Sequence, residues 1–141
     1  MIGGGVYYFL KNQEQPNSQT NNPSIGENEI TREEVMTDLV NKIASISPAK
    51  PVLGGSWYIN RFWFIKDSNK DFYIEYEDGH IMRQVLVEAG KKNGNLNYKV
   101  VAYFEPGEND WELKQGEDKF RGEILNLYEH SEELNQWIRK N

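Results

Sequence analysis

Two histidines, His80 and His130, and no cysteine are the whole stock of side chains suited to nucleophilic or general-base chemistry near neutral pH. The lack of cysteine removes disulfides, thiolate zinc sites, iron–sulfur clusters and thiol nucleophiles together. No Gly-x-Ser-x-Gly elbow is present to present a serine at a strand-to-helix turn. His80 follows Asp78-Gly79 and sits close to Glu77, which marks it as an exposed cross-strand partner of that glutamate. His130 stands just before Ser131, at the start of an expected helix, where a cation is not specially favoured. The residues therefore name no catalytic set, and a binding or scaffolding role is the expectation.

The carboxylates are more numerous and better grouped. Glu75 and Glu77 lie two apart on one strand face, but beside a hairpin tip they read as solvated and not as a glycosidase-type pair. Asp67, Asn69 and Asp71 alternate like the start of a calcium loop. The count then fails, because Phe72 stands where that loop needs its glycine. Turn chemistry is the better reading of those three, with a weak calcium site as its alternative and no other metal or cofactor expected.

The formal charge of −6 is unevenly spread. Residues 105–118 hold Glu105, Glu108, Asp110, Glu112, Glu117 and Asp118 against Lys114 alone, while the rest of the chain is close to neutral. With Trp111 at its centre, this run is the expected contact surface for a protein with a basic face. The same sign opposes nucleic-acid binding, which draws on a basic surface. A second arrangement is an aromatic pocket for a small apolar ligand, walled by Trp57, Trp63, Tyr76, Tyr103 and Trp111.

These residues need elements to position them. Thr31-Arg32-Glu33-Glu34 is a capping box, followed at helical spacing by Val35, Met36, Leu39, Val40, Ile43 and Ile46. Five strands then follow: 57–65, 72–77, 80–88, 98–105 and 111–114, with Asp78-Gly79 as the strongest hairpin signal. A two-residue loop there sets Tyr76 opposite Ile81, Ile74 opposite Arg83 and Phe72 opposite Val85. Residues 120–128 fit a helix through Phe120, Ile124, Leu127 and Tyr128, but Gly122 and Leu125 leave strand open. Ser131 is positioned to cap a short last helix with Leu134, Trp137 and Ile138 inward.

The expected fold is thus α+β, an N-terminal helix on a curved antiparallel meander of about five strands, closed by a short C-terminal helix. Over residues 31–115 this order resembles the curled-sheet-on-helix architecture shared by cystatin-like and NTF2-like folds. The resemblance implies a fold that hosts inhibitors, enzymes, ligand-binding cones or assembly domains, and the alternative expectation is an NTF2-like cone that binds a small apolar ligand and carries a weak enzymatic activity.

The chain of 141 residues divides into an apolar stub at 1–10, a polar linker at 11–30 and a globular part at 31–141. Uncharged residues ending in Tyr7-Tyr8-Phe9-Leu10, with Lys11 beyond, match the end of a membrane anchor whose remainder begins upstream of Met1. Residues 11–30, rich in Asn, Gln, Ser and Pro, cannot bury enough apolar surface to order themselves. The expected protein is a non-enzymatic domain displayed on the extracytoplasmic side of a membrane, with a soluble cytoplasmic protein as the alternative.

Overall fold

In strand Tyr58–Ile65 apolar side chains run nearly without interruption, because both faces of the sheet it joins are covered. The computed structural model describes residues 28–141. The expected stub and nearly all of the expected linker lie outside the described residues. Two short helices, α1 (Arg32–Leu39) and α2 (Ile43–Ile46), precede seven strands. These are β1 (Tyr58–Ile65), β2 (Asp71–Glu77), β3 (Met82–Lys92), β4 (Asn95–Pro106), β5 (Trp111–Gly116), β6 (Leu125–Ser131) and β7 (Gln136–Arg139). They form one sheet in the order β5-β4-β3-β2-β1-β6-β7, antiparallel at every pairing.

This architecture corrects the expected fold. The protein is mostly a seven-stranded antiparallel sheet, not a helix on a five-stranded meander with a closing helix. The cystatin-like and NTF2-like analogy falls with it. The miss at the C-terminus has a local cause. The Leu134 N–H does donate to Ser131 Oγ at 3.1 Å, the bond expected of a helix cap. One turn later Asn135 adopts φ +52, the chain reverses, and β7 pairs back on β6 with Ser131 opposite Gln136. Leu134, expected inward, is 58% exposed at that hairpin tip.

The N-terminal capping box forms as read. Glu34 N donates to Thr31 Oγ1 at 3.2 Å, and Thr31 N donates to Glu34 Oε2 at 2.8 Å. The expected single helix, however, breaks at 40–42, where the Lys42 N–H tightens onto Leu39 O. Val40 turns outward there, while Val35, Met36, Leu39 and Ile43 stay buried. Arg32 fastens α1 to the sheet, donating to Ser68 O, Ile65 O, Asn126 Oδ1 and Tyr128 Oη with its guanidinium 4.9 Å from the Phe64 ring centroid. Beneath the helices Phe62, Phe64, Phe72, Ile74, Tyr76, Val85 and Val87 form the larger core.

The hairpin register differs from the expected one by two residues. Tyr76 pairs with Arg83, Ile74 with Val85 and Phe72 with Val87, across a loop of residues 78–81. A shift of two preserves which face each side chain takes, so the expected faces survive. Asp78 sets the longer loop, accepting from His80 N and Ile81 N at 2.8 Å and from Val52 N at 2.7 Å. Burial works to raise its pKa, but the donations from Ile81, Val52 and His80 together hold it at about 2. The sign follows: its folded pKa lies below the unfolded value of about 3.9. Its stabilising contribution is complete above that value and is lost as pH falls toward about 2. Asp78→Ala is therefore expected to lower Tm at pH 7 and to flatten the acid limb of the Tm–pH curve below about pH 4. Thermal melts across that range check it, and an acid limb as steep as the wild type's would contradict it.

The other face is covered by the chain itself. Residues 117–124 carry the chain from β5 to β6, five strand spacings away in the sheet order. In a flat sheet that is about 24 Å. The segment contains turns, with Arg121 N bonded to Asp118 O and Glu123 N to Phe120 O, so it closes this gap only if the sheet curls toward it. It does curl. Trp111 on β5 packs in one cluster with Tyr73 on β2 and Trp63 on β1, and Phe120 of the crossing segment joins them.

Candidate functional site

Where the sheet curls around the crossing segment, a cleft of about 470 Å³ remains open. Its floor comes from alternate residues of the central strands. Tyr73 and Glu75 of β2 share a face with Trp63 of β1, because Trp63 pairs with Tyr73 and Arg61 with Glu75. Gln84 of β3 lies opposite Glu75, and Phe104 of β4 lies opposite Gln84. The walls are Trp111 and Leu113 of β5 on one side and Asp118, Phe120 and Leu125 on the other. Five aromatic rings and four carboxyl groups (Glu75, Asp110, Asp118 and Glu123) line it, with Arg121 as its one cationic side chain.

Glu75 is the chemical centre of this cleft. It is only 7% exposed, and Trp63 Nε1 donates to its Oε2 at 2.5 Å. Its cationic neighbour Arg61 stands off, with Nε 3.7 Å from Glu75 Oε1 and Nη2 3.6 Å from Glu129 Oε2. Arg61 Nε is itself buried and makes no hydrogen bond among the described residues. Burial, the largest influence, raises the Glu75 pKa against the opposing effects of Trp63 and Arg61. An acid with a folded pKa above its unfolded one loses stability as pH rises through that interval. Glu75→Gln is accordingly expected to melt above the wild type at pH 7, with the difference vanishing near about pH 4. Parallel thermal melts at the two pH values check this, and a variant less stable at pH 7 would refute it.

Tyr73 locks the crossing segment over this floor by donating its hydroxyl to Asp118 Oδ1. Burial, reinforced by that carboxylate, raises the Tyr73 pKa, so the donor keeps its proton.

The expected acidic surface is divided by the strand alternation of β4 and β5. Asp110, Trp111 and Asp118 come to the cleft. Glu105 and Glu112 pair across the two strands on the opposite face. There Glu105 accepts from Tyr103 Oη at 2.9 Å, and Glu112 meets Lys114 at 2.7 Å. Glu108 and Glu117 are exposed. The expected aromatic wall is divided too. Trp57, Tyr76 and Tyr103 are packed in the core under the helices, Trp57 edge-on to Tyr76 at 4.9 Å. Trp63 and Trp111 lie on the cleft side, so the five do not share one pocket.

Asp67 and Asn69 lie in the β1–β2 turn and Asp71 opens β2; Asn69 donates to Ile30 O and Asp71 accepts from Ser68 Oγ at 2.9 Å. No group of three or more His, Asp or Glu side chains among the described residues is arranged to hold a metal ion. Glu77 takes the Tyr58 hydroxyl and the Asn60 amide in place of His80, which lies in the hairpin loop. His130 faces Glu132 at 3.1 Å and packs edge-on against Trp137.

Comparison with family models, curated proteins and solved structures finds no match. Function must therefore be argued from the cleft. From sequence alone Glu75 looks solvated, and Tyr73, Gln84, Phe104, Phe120 and Glu123 carry no functional signal. A signal for Glu75 was present: it stands between Tyr73 and the hairpin on the strand face that also carries Gln84, and its neighbours Trp63 and Trp111 each bring an N–H that needs an acceptor when buried.

Proposed function

We propose that the folded part of this chain is a non-enzymatic interaction domain that docks a basic protein partner through the face carrying the cleft. The observation that carries this reading is the imbalance around an open, aromatic-walled concavity, where four carboxyl groups meet one guanidinium. The proposal includes display on the extracytoplasmic side of a membrane, which rests on the composition of residues 1–11. No helix among the described residues is long and apolar enough to cross a membrane.

Titration with a lysine-rich peptide by calorimetry tests the docking face. Affinity should fall steeply from low to physiological salt, as expected for exposed charges. Asp110→Lys combined with Glu123→Lys, both on the cleft, should weaken binding about tenfold, near 1.4 kcal/mol. Glu132→Lys with Glu133→Lys, at the far hairpin, should leave it unchanged. Equal losses for both pairs would reduce the effect to net charge and overturn the reading. Membrane association is tested by fractionating cells that express the full natural gene, where recovery in the soluble fraction would refute the tether.

A further inference from the structure

We propose that the cleft is a cage for a single alkylammonium group, the head of a lysine side chain of the partner, with Glu75 as its buried counter-charge. This rests on the docking face argued above and names what enters it. Acidic side chains alone would not make such a site, since a solvated carboxylate cluster recruits counterions without holding them. Here the central carboxylate is buried in a concavity, held by the Trp63 indole, with Trp111 on the wall above it. That donor is neutral. The nearest cation, Arg61, stands 3.7 Å away and is shared with Glu129. A buried anion held mainly by neutral donors favours the entry of a cation, which then loses little by leaving water.

The walls select which cation. Aromatic faces attract an organic ammonium by about 0.5–2 kcal/mol each when desolvated. They add no oxygen ligands for a hard divalent ion, which takes about six to eight of them, and the carboxyl groups of the cleft form no cluster of three or more among the described residues that could hold a metal ion. An alkyl stem packs against Phe104, Phe120 and Leu125 while its head reaches the floor, as lysine stems do on apolar surfaces. Gln84, buried beside Glu75, lines the same floor and keeps it polar.

The four tryptophans make the test internal. Trp63 and Trp111 line the cleft, whereas Trp57 donates to Ala49 O on the other side of the sheet and Trp137 sits on β7. In nitrogen-15-labelled protein, n-butylammonium should shift the indole N–H resonances of Trp63 and Trp111 saturably, with Kd of about 1–10 mM. Trp57 and Trp137 should stay in place. Glu75→Gln, which the burial argument expects to fold at least as well as the wild type, should weaken this about tenfold or more. Trp111→Leu, at a half-exposed wall position, should weaken it about fivefold while leaving the Trp63 resonance dispersed. Neutral n-butanol should produce no comparable saturation. Absence of saturable shifts, equal response to butanol, or unchanged affinity in Glu75→Gln would each overturn the cage. If the lysine-rich peptide still binds in a salt-dependent manner in that event, the docking face stands and only the cage is lost. If the peptide also fails, both fall.

Discussion

Phe64→Ala is expected to remove about 3–5 kcal/mol of folding stability, the usual cost of truncating a fully buried aromatic ring. Phe64 is fully buried in β1, the strand that joins the five-stranded run to the β6–β7 hairpin. Its ring lies 4.9 Å from Phe72 and 5.5 Å from Tyr128, so it touches the strands on both sides of β1 through their side chains. Arg32 caps the cluster over the same ring. Truncation therefore opens a cavity at the seam and takes away the aromatic surface under the Arg32 guanidinium. Against a total domain stability of about 5–15 kcal/mol, the loss is a large fraction. Urea unfolding checks it: the midpoint should fall sharply with an unchanged slope. A loss below about 1 kcal/mol would mean that β6 and β7 add little to the stability of β1, against the packing described here.

Gly116→Val is the second large effect, and it falls on the cleft. Gly116 ends β5 at φ +80, the left-handed region, and a Cβ placed there would stand 2.0 Å from Val101 O. The backbone strain alone costs about 1–2 kcal/mol. Pushing β4 and β5 apart adds about 1–3 kcal/mol, as overpacking usually does. The segment released is the one that bears Asp118 and Phe120, so the cleft should open and the Trp111 response to ammonium should vanish with it. Gly122 provides the control. It has φ +87 but nothing within 4 Å of an added Cβ, so Gly122→Ala should cost only the conformational part, about 1–2 kcal/mol. Comparable losses at both glycines, by urea unfolding, would show that strain and not the close contact dominates at Gly116.

The stability effects also separate structure from site. Phe64 serves the sheet from the face opposite the cleft; Glu75 is expected to lower stability at neutral pH while lining the cleft. A buried carboxylate that costs stability and lines an open concavity fits the trade commonly found at binding sites. This contrast is why the Glu75→Gln melt and the Glu75→Gln titration belong together: a variant both more stable and deaf to ammonium is hard to explain by misfolding.

Local signals were legible wherever one or two bonds decide the outcome. The Thr31–Glu34 capping box, the first five strands in order, and the faces taken by residues 72–77 and 82–85 all follow from side-chain chemistry and period-two alternation. The residue types also excluded cysteine chemistry and concentrated the acidity around Trp111. What only the tertiary structure decided is which of these features meet. Ser131 offers the same cap bond to a helix or to a single turn, and pairing with β1 and β6 settled the matter for strand. Glu75 looks solvated beside its hairpin, yet it is buried because a segment more than forty residues later crosses over it. That crossing depends on the curl of the whole sheet, a sum of small twists and bulges spread over many residues. No short stretch of sequence encodes it. The acidity the chain announces at 105–118 is therefore split by strand alternation, and only its Asp110, Trp111 and Asp118 come to face the buried carboxylate of β2.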